Sequence, residues 1–170
     1  AHEEGARVIV LEATGEDLSG GNSRFTAGLF RIPYANLDEL LEVIPDLGAD
    51  EIENTDFGSY TPDDFLDDMA RVTRFRADPD LVEILVNRAR ETAVWMRSHR
   101  VRFLPAYGRQ AFKVDGKFKF WGGAHIETAG GGPGLVEGLT KAAGEAGIPI
   151  RYGARAVGLL SDAGKVEGVV

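Results

Sequence analysis

A compact apolar run at residues 7–12 (RVIVLE) is the feature that most restricts the fold. It is rich in β-branched side chains and lies between Gly5 and Gly15. Such a run is typical of a strand buried in a parallel sheet, where both faces are covered. The run ends at Glu12, and residues 15–28 (GEDLSGGNSRFTAG) are small and polar, which favours tight turns. The pattern predicts an α/β fold in which a parallel strand leads into a loop.

Helical spacing recurs in the middle of the chain, at residues 37–44, 62–73 and 80–100. The last of these is the clearest, and Asp78 and Pro79 before it form an N-cap and first-turn pair. These segments predict a mainly helical lobe. Residues 46–61, between the first two helices, are acidic and rich in turn formers, so we expect them to be the most mobile segment.

Strand and helix signals return in the second half. Residues 112–120 (FKVDGKFKF) alternate around an Asp-Gly pair, which predicts a β-hairpin. A glycine cluster at residues 129–134 opens a helix, and residues 148–160 predict a strand that turns back into residues 165–170. We therefore expect an α/β fold: a partial Rossmann-like domain of parallel strands plus a β-hairpin, with an inserted helical lobe. Residues 1–34 and 121–170 would form the domain, and residues 35–120 the insertion with its β-ribbon.

Composition excludes several classes of function. With 170 residues, 44% of them hydrophobic, the chain can bury a core. Its net charge of −8 gives little support to nucleic-acid binding. The absence of cysteine excludes disulfides, thiolate metal sites and iron–sulfur clusters within these residues, and we predict no metal site. No apolar run approaches the roughly 20 residues of a membrane span, and a cytoplasmic setting is expected. The start lacks a methionine and a signal pattern, so we expect an internal piece of a longer protein.

Two features suggest nucleotide chemistry. In dinucleotide-binding folds, an acidic residue at the tip of the second strand accepts hydrogen bonds from ribose hydroxyls, and Glu12 occupies such a position. The alternative is a carboxylate that only caps the next helix. The loop at residues 20–28 (GGNSRFTAG) would let backbone N–H groups approach a pyrophosphate, although an ordinary surface turn has similar composition. The second cluster, Gly130 to Gly134, could bind an anion at a helix N-terminus but lacks the Gly-Lys-Ser/Thr ending of a P-loop.

These segments together resemble the FAD-dependent flavoproteins of the fumarate reductase and succinate dehydrogenase type. VIVLEA followed by GGNSRFTAG is similar to the second strand and following loop of that family, and GGNSR in particular resembles tricarballylate dehydrogenases. The segment from GGGPGLVEGL to the end of the chain is similar to the family's glycine-rich turn, helix and strand pair. The acidic stretch at residues 37–61 matches no motif of the family.

The resemblance implies a set of FAD-binding residues. Glu12 would hold the adenosine ribose, the loop after it would line the pyrophosphate and flavin, Thr26 to Gly28 would lie against the isoalloxazine ring, and Ala156 would contact adenine through its backbone. The full predicted set is Glu12, Ala13, Gly20, Gly21, Asn22, Ser23, Thr26, Ala27, Gly28 and Ala156. The family's catalytic His and Arg would lie outside this chain, so no catalytic residue is predicted here.

The resemblance also implies a reaction. The parent enzyme would dehydrogenate a di- or tricarboxylate, or reduce a fumarate-like double bond, with FAD as hydride acceptor and a separate electron-transfer partner. This chain alone would be inactive and could lack FAD. Two alternatives remain: a related flavoprotein of the ketosteroid dehydrogenase or aspartate oxidase type, or a non-catalytic α/β module that forms a homo-oligomer through an exposed sheet edge.

Five further residues are candidates for a role. His125 could contact substrate, but an ordinary loop histidine is the simpler interpretation. Arg102 and Arg109 could bind a carboxylate in bidentate fashion, although surface arginine is the better interpretation for each. Trp95 and Trp121 are expected to be core aromatics.

Overall fold

The computed structural model describes all 170 residues and contains ten β-strands and six α-helices. The strands are β1 (Val10–Leu11), β2 (Leu29–Phe30), β3 (Thr55–Asp56), β4 (Phe103–Pro105), β5 (Ala111–Val114), β6 (Lys117–Phe120), β7 (Ile126–Thr128), β8 (Ile150–Arg151), β9 (Leu159–Asp162) and β10 (Lys165–Val169). The helices are α1 (Leu37–Leu41), α2 (Ala49–Glu53), α3 (Pro62–Thr73), α4 (Pro79–Ser98), α5 (Tyr107–Gln110) and α6 (Gly131–Glu145). Two 3₁₀ helices, Glu16–Leu18 and Gly21–Phe25, lie between β1 and β2. The predicted α/β class is confirmed.

The strands form four small sheets. β1 pairs in parallel with β8, while β2, β7 and β4 form an antiparallel sheet in that order. β6 pairs in parallel with β3 and antiparallel with β5, and β9 and β10 form a separate hairpin. The sheets are therefore both parallel and antiparallel, with β7 and β6 as the central strands of the two larger ones.

The strand predicted at residues 7–12 differs from expectation in length and burial. Only Val10 and Leu11 form ladder pairs, and their side chains, like that of Ile9, are exposed. A parallel strand is buried when neighbouring strands and helices cover it, and β1 has a single neighbour in a two-stranded sheet. The prediction of a parallel strand was correct, and the prediction of burial was wrong.

The helical predictions agree closely with the structure. α3 spans the predicted residues, α4 begins one residue early, and α1 is shorter than its pattern. Asp78 caps α4 as expected, because its carboxylate accepts hydrogen bonds from the backbone N–H groups of Asp80 and Leu81. Thr61 and Asp64 form a reciprocal capping box at the start of α3.

The acidic segment 46–61 is more regular than expected. It contains α2 and β3, and it places the rings of Phe57 and Tyr60 in the core. The buried Tyr34 hydroxyl donates a hydrogen bond to the Phe57 carbonyl and accepts one from the N–H of Ala124. The expectation of a turn-rich segment was therefore only partly correct, because the acidic composition gave no sign that Phe57 and Tyr60 are buried. The mobility of this segment stays a prediction.

Both predicted hairpins are present. β5 and β6 are joined by Asp115 and Gly116, and β9 and β10 by Ala163 and Gly164, all four with positive φ. Two consecutive residues of this kind are the requirement of a tight type I′ turn.

One hydrophobic cluster of 16 buried residues holds the middle of the chain together. It joins the helical lobe to the sheet of β2, β7 and β4, with Phe30 packed edge-on against Phe103. β4, which belongs to the predicted insertion (residues 35–120), pairs directly with β7, which belongs to the predicted domain (residues 121–170). The division into domain and insertion remains a prediction. None of the helices is both long and apolar enough to span a membrane.

The two tryptophans lie outside this core. Trp95 is half exposed and its indole N–H donates a hydrogen bond to Glu3, while Trp121 is exposed and packs against Phe112. The expectation that both are core aromatics was wrong, because Trp95 lies on the outer side of α4 and Trp121 at the exposed end of the ribbon.

Candidate functional site

Glu12 lies directly after β1 and connects two parts of the predicted site. Its carboxylate accepts hydrogen bonds from the backbone N–H of Thr14 at 2.8 Å, from the Thr14 hydroxyl at 3.0 Å and from the N–H of Gly20 at 3.2 Å. These bonds, led by the one from the Thr14 backbone, lower the pKa of Glu12 below its usual value. The side chain is therefore an anion at neutral pH, and it lies beside Gly20, the first residue of the loop at residues 20–28. Ala13, beside it, is half buried.

The loop at residues 20–28 is seated on the start of α6. Gly20 has a φ of 102°, and a Cβ there would lie 2.7 Å from a Val136 methyl group. On the α6 side, a Cβ at Gly132 would overlap the Ser23 carbonyl oxygen. Glycine is thus required on both sides for the backbones to approach this closely.

A second set of contacts fixes the end of the loop. The Thr26 hydroxyl accepts a hydrogen bond from the N–H of Gly28, and the Gly28 carbonyl accepts one from the N–H of Thr128 on β7. Thr128 in turn donates its hydroxyl to the Gly131 carbonyl at 2.6 Å. Ala27 is half buried between these anchors. The loop is therefore held at both ends by elements that come about 100 residues later in the chain.

The exposed middle of the loop has the properties needed to receive an anionic group. Gly21, Asn22 and Ser23 begin a 3₁₀ helix, so their N–H groups have no earlier carbonyl within that helix to bond. All three residues are exposed, and a Cβ at Gly21 would meet no atom within 4 Å. Successive open N–H groups over glycine suit a pyrophosphate. The residues present fit a dinucleotide cofactor.

The segment expected to contact adenine lies close to Glu12. The β1 and β8 pairing continues past the strands, because the N–H of Ala154 bonds the Glu12 carbonyl and the N–H of Gly153 bonds the Thr14 carbonyl, both at 2.8 Å. Ala156 follows two residues later in exposed coil, before rather than within β9, and its backbone has no hydrogen-bond partner in the chain. Its N–H and carbonyl are free for a ligand.

The second glycine cluster supports the loop and does not face solvent as an anion site. The N–H of Gly132 donates a hydrogen bond to the Thr26 carbonyl at 2.9 Å, and the carbonyls of Ser23 and Arg24 lie against the same glycine. The positive end of the α6 dipole therefore meets backbone carbonyl oxygens. Sequence reasoning identified the glycines but missed that the two clusters pack against each other.

Sequence reasoning also missed a polar cluster centred on Arg31, just after β2. Its guanidinium lies 3.8 Å from the centre of the Tyr60 ring, 3.5 Å from an Asp68 carboxylate oxygen and 2.6 Å from Nε2 of His125. Burial, together with the charge of Arg31, lowers the pKa of His125 to about 4. His125 is thus a neutral, half-buried partner of Arg31. Only the position of Arg31 opposite His125 across β2 and β7 could have signalled this cluster in advance.

The two arginines considered as carboxylate ligands lie apart from the loop contacts. Arg102 forms an exposed ion pair with Asp46 at 2.9 Å, and Arg109 is exposed on α5. No contact joins either of them to the loop at residues 20–28. The surface interpretation of both agrees with this geometry.

Comparison with protein families shows a match over the whole chain. The model of the family described as FAD binding domain matches residues 1–170, the whole chain. The match includes Glu12, the loop at residues 20–28 and the segment around Ala156, but it assigns no role to individual residues.

Proposed function

This chain belongs to the FAD binding domain family of the fumarate reductase and succinate dehydrogenase flavoprotein type, and on that premise we propose a role for its residues. Members of the family are FAD-dependent oxidoreductases, and the cofactor is FAD. We propose that Glu12 and the Ala156 backbone hold the adenosine half of FAD and that residues 20–28 hold its pyrophosphate and flavin. FAD, when bound, supplies a two-electron acceptor for a hydride from carbon.

The observation that carries this proposal is the junction between Glu12 and Gly20. The anionic carboxylate is held by the N–H groups of Thr14 and Gly20, and carboxylate oxygens have further lone pairs that can accept hydrogen bonds from ribose hydroxyls. The open N–H groups of Gly21, Asn22 and Ser23 follow directly. Ribose and pyrophosphate are adjacent in a dinucleotide, as these two groups of ligands are in the chain.

The same premise supports a proposal for the substrate. We propose that the parent enzyme dehydrogenates a di- or tricarboxylate, such as tricarballylate, or reduces a fumarate-like double bond. The support is the resemblance of residues 20–24 (GGNSR) to tricarballylate dehydrogenases. In this view the present residues bind and orient the cofactor, and the groups that contact the reacting carbons belong to the rest of the enzyme.

Partners follow from that chemistry. A small carboxylate is the proposed substrate, and a separate protein is the proposed acceptor of the electrons. Self-association through the open edge of β1 remains a further proposal, supported by the single neighbour of that strand and by the exposure of Ile9, Val10 and Leu11. A monomeric sedimentation profile at high protein concentration would contradict self-association through this edge.

Cofactor choice tests the adenosine half of the proposal. Glu12 and Ala156 would contact only groups that FAD has and FMN lacks. In a fluorescence titration, FAD should therefore quench the fluorescence of the chain at concentrations about tenfold lower than those that FMN requires. ADP should compete with FAD. Equal affinity for FMN and FAD, or no competition by ADP, would show that these residues do not bind adenosine.

Substrate choice is tested on an enzyme that contains these residues together with the groups that contact the reacting carbons. Reduction of a dye acceptor should be fastest with tricarballylate or a dicarboxylate, and slower with aspartate or a ketosteroid. A preference for either of the last two would replace the carboxylate proposal with the corresponding flavoprotein type. FAD binding without turnover of any of them would favour the non-catalytic module.

A further inference from the structure

The charges of this acidic chain are segregated. Residues 32–70 contain 12 acidic side chains and no Lys or Arg, whereas residues 97–121 contain seven Lys and Arg and one acidic residue, Asp115. The basic segment includes the β5–β6 ribbon and the turn of α5 before it. In the structure Arg100, Arg102 and Lys119 pair with Glu145, Asp46 and Asp56, which leaves four of the seven cations of this segment without an ion pair. Unpaired cations attract anionic partners over a distance near the Debye length.

The ribbon has two different faces. The cross-strand pairs Phe112 with Lys119 and Val114 with Lys117 lie on one side, and Trp121 follows on the same side by alternation. The other side carries Phe118 and Phe120, which pack on Tyr107 of the lobe. We call the first side the ribbon face, consisting of Phe112, Val114, Lys117, Lys119 and Trp121.

The ribbon face exposes aromatic surface next to positive charge. Trp121 is 77% exposed and Phe112 is 41% exposed, with their ring centres 6.0 Å apart. Lys119 is the only lysine of the face with an ion-pair partner, Asp56, and Lys117 has none. The ribbon face therefore combines an exposed aromatic pair with a cation that has no ion-pair partner.

The shape of the face favours a protein over a small molecule. None of the larger cavities of the chain is lined by these residues, so a small ligand would not be enclosed. Small interfaces that combine aromatic contact with charge are typical of transient electron-transfer encounters, in which charge increases the association rate. A membrane surface is less suitable, because the tip of the ribbon carries the acidic Asp115.

We propose that the ribbon face is the docking surface for an acidic protein, whose carboxylates meet the lysines around an apolar centre that covers Trp121 and Phe112. That this partner is the electron acceptor rests on the proposed function. Trp121 precedes Thr128 by seven residues, and Thr128 bonds the end of the predicted flavin loop at Gly28. The chain therefore keeps the face within about 25 Å of that loop.

A labelled peptide tests the docking surface directly. The probe is a fluorescein-labelled peptide in which glutamates flank a Leu-Phe-Leu centre, and its anisotropy reports binding to the whole chain. We expect binding that weakens with salt and falls about tenfold in Trp121→Ala and in Lys117→Gln/Lys119→Gln. The matched control is Lys141→Gln/Lys165→Gln, which removes the same charge from two exposed lysines elsewhere. Circular dichroism checks that each variant folds.

Four results would overturn the proposal: no binding of the peptide, equal loss in the two double variants, equal binding of a peptide with a Gly-Ser-Gly centre, or tighter binding to phosphatidylglycerol vesicles than to the peptide. FAD titration of the same variants separates the two proposals. Variants of the ribbon face that lose peptide binding but bind FAD normally would support the docking surface independently of the cofactor site. Absence of FAD binding in the unchanged chain and in every variant would contradict the proposed function instead.

Discussion

Gly28 shows at the residue scale how the predicted flavin loop is built. It is buried with a φ of 71°, and a Cβ there would overlap the Thr128 hydroxyl and lie 3.0 Å from the Gly131 backbone. Both the left-handed conformation and the available space therefore demand glycine. Sequence reasoning placed Gly28 in the loop from the GGNSRFTAG pattern. It could not supply the reason, because Thr128 and Gly131 are 100 residues away.

Replacing Gly28 should therefore cost more than conformational strain alone. We expect Gly28→Ala to reduce the free energy of unfolding by about 3 kcal/mol, the sum of left-handed strain and overpacking. Gly58→Ala is the control, since Gly58 has a φ of 61° but no atom within 4 Å of a Cβ, and it should cost about 1 kcal/mol. Urea unfolding measures both. Equal losses would mean that the loop is not held against β7 and α6 as described.

His125 gives a pH dependence at the same scale. Its pKa in the folded chain is about 4, against 6.5 for an unperturbed histidine, because of burial and the adjacent Arg31. Between these values the unfolded chain binds the proton and the folded chain does not. Stability therefore rises as the pH increases from about 4 to 6.5, and it is lost as the pH falls through that range.

The variant His125→Gln isolates this effect from the carboxylates that titrate nearby. We expect the difference in unfolding free energy between the unchanged chain and the variant to decline steadily from pH 6.5 to 4 and to be constant above pH 7. Urea unfolding at a series of pH values gives the difference. A difference independent of pH would show that His125 titrates normally and does not pack on Arg31.

At the scale of elements, local signals were sufficient where the bonds are local. α3, α4 and the hairpins were predicted because caps, apolar spacing and Asp-Gly or Ala-Gly turns lie within a few residues of the structure they set. β1 was predicted too long and β2 was not predicted, since each has only two residues and is defined by partners about 140 and about 100 residues later, respectively. The amino-acid pattern of so short a strand contains little information about a pairing partner that is distant in the sequence.

The N-cap of α4 tests the local part of this account. Asp78→Ala removes the acceptor of two backbone N–H groups and should lower the free energy of unfolding by about 1 kcal/mol. Asp78→Asn keeps a side-chain oxygen in place and should recover most of that loss. Thermal unfolding compares the three proteins. An Ala variant as stable as the original would mean that the cap does not stabilise α4.

At the scale of the whole molecule, the predicted site is built from three segments that are far apart in the sequence. Residues 20–28 pack against the start of α6 through glycine contacts and a backbone hydrogen bond, and Glu12 and Thr14 accept backbone hydrogen bonds from Ala154 and Gly153. The sequence indicated each segment separately, through its acidic strand end, its glycines and its resemblance to flavoproteins. It did not indicate Arg31 or the exposure of Trp121, because neither follows from a local pattern. The individual ligand roles remain predictions.

The measurement that tests the central claim most directly is FAD binding followed by the visible absorbance of the flavin. The unchanged chain should retain FAD, and Glu12→Gln should weaken its affinity about tenfold or more, because a neutral amide accepts fewer hydrogen bonds from the ribose than a carboxylate. Glu16→Gln, an exposed substitution in the same loop region, should bind FAD as the unchanged chain does. If a folded Glu12→Gln chain binds FAD as tightly as the original, Glu12 does not hold the adenosine ribose and the proposed site is wrong.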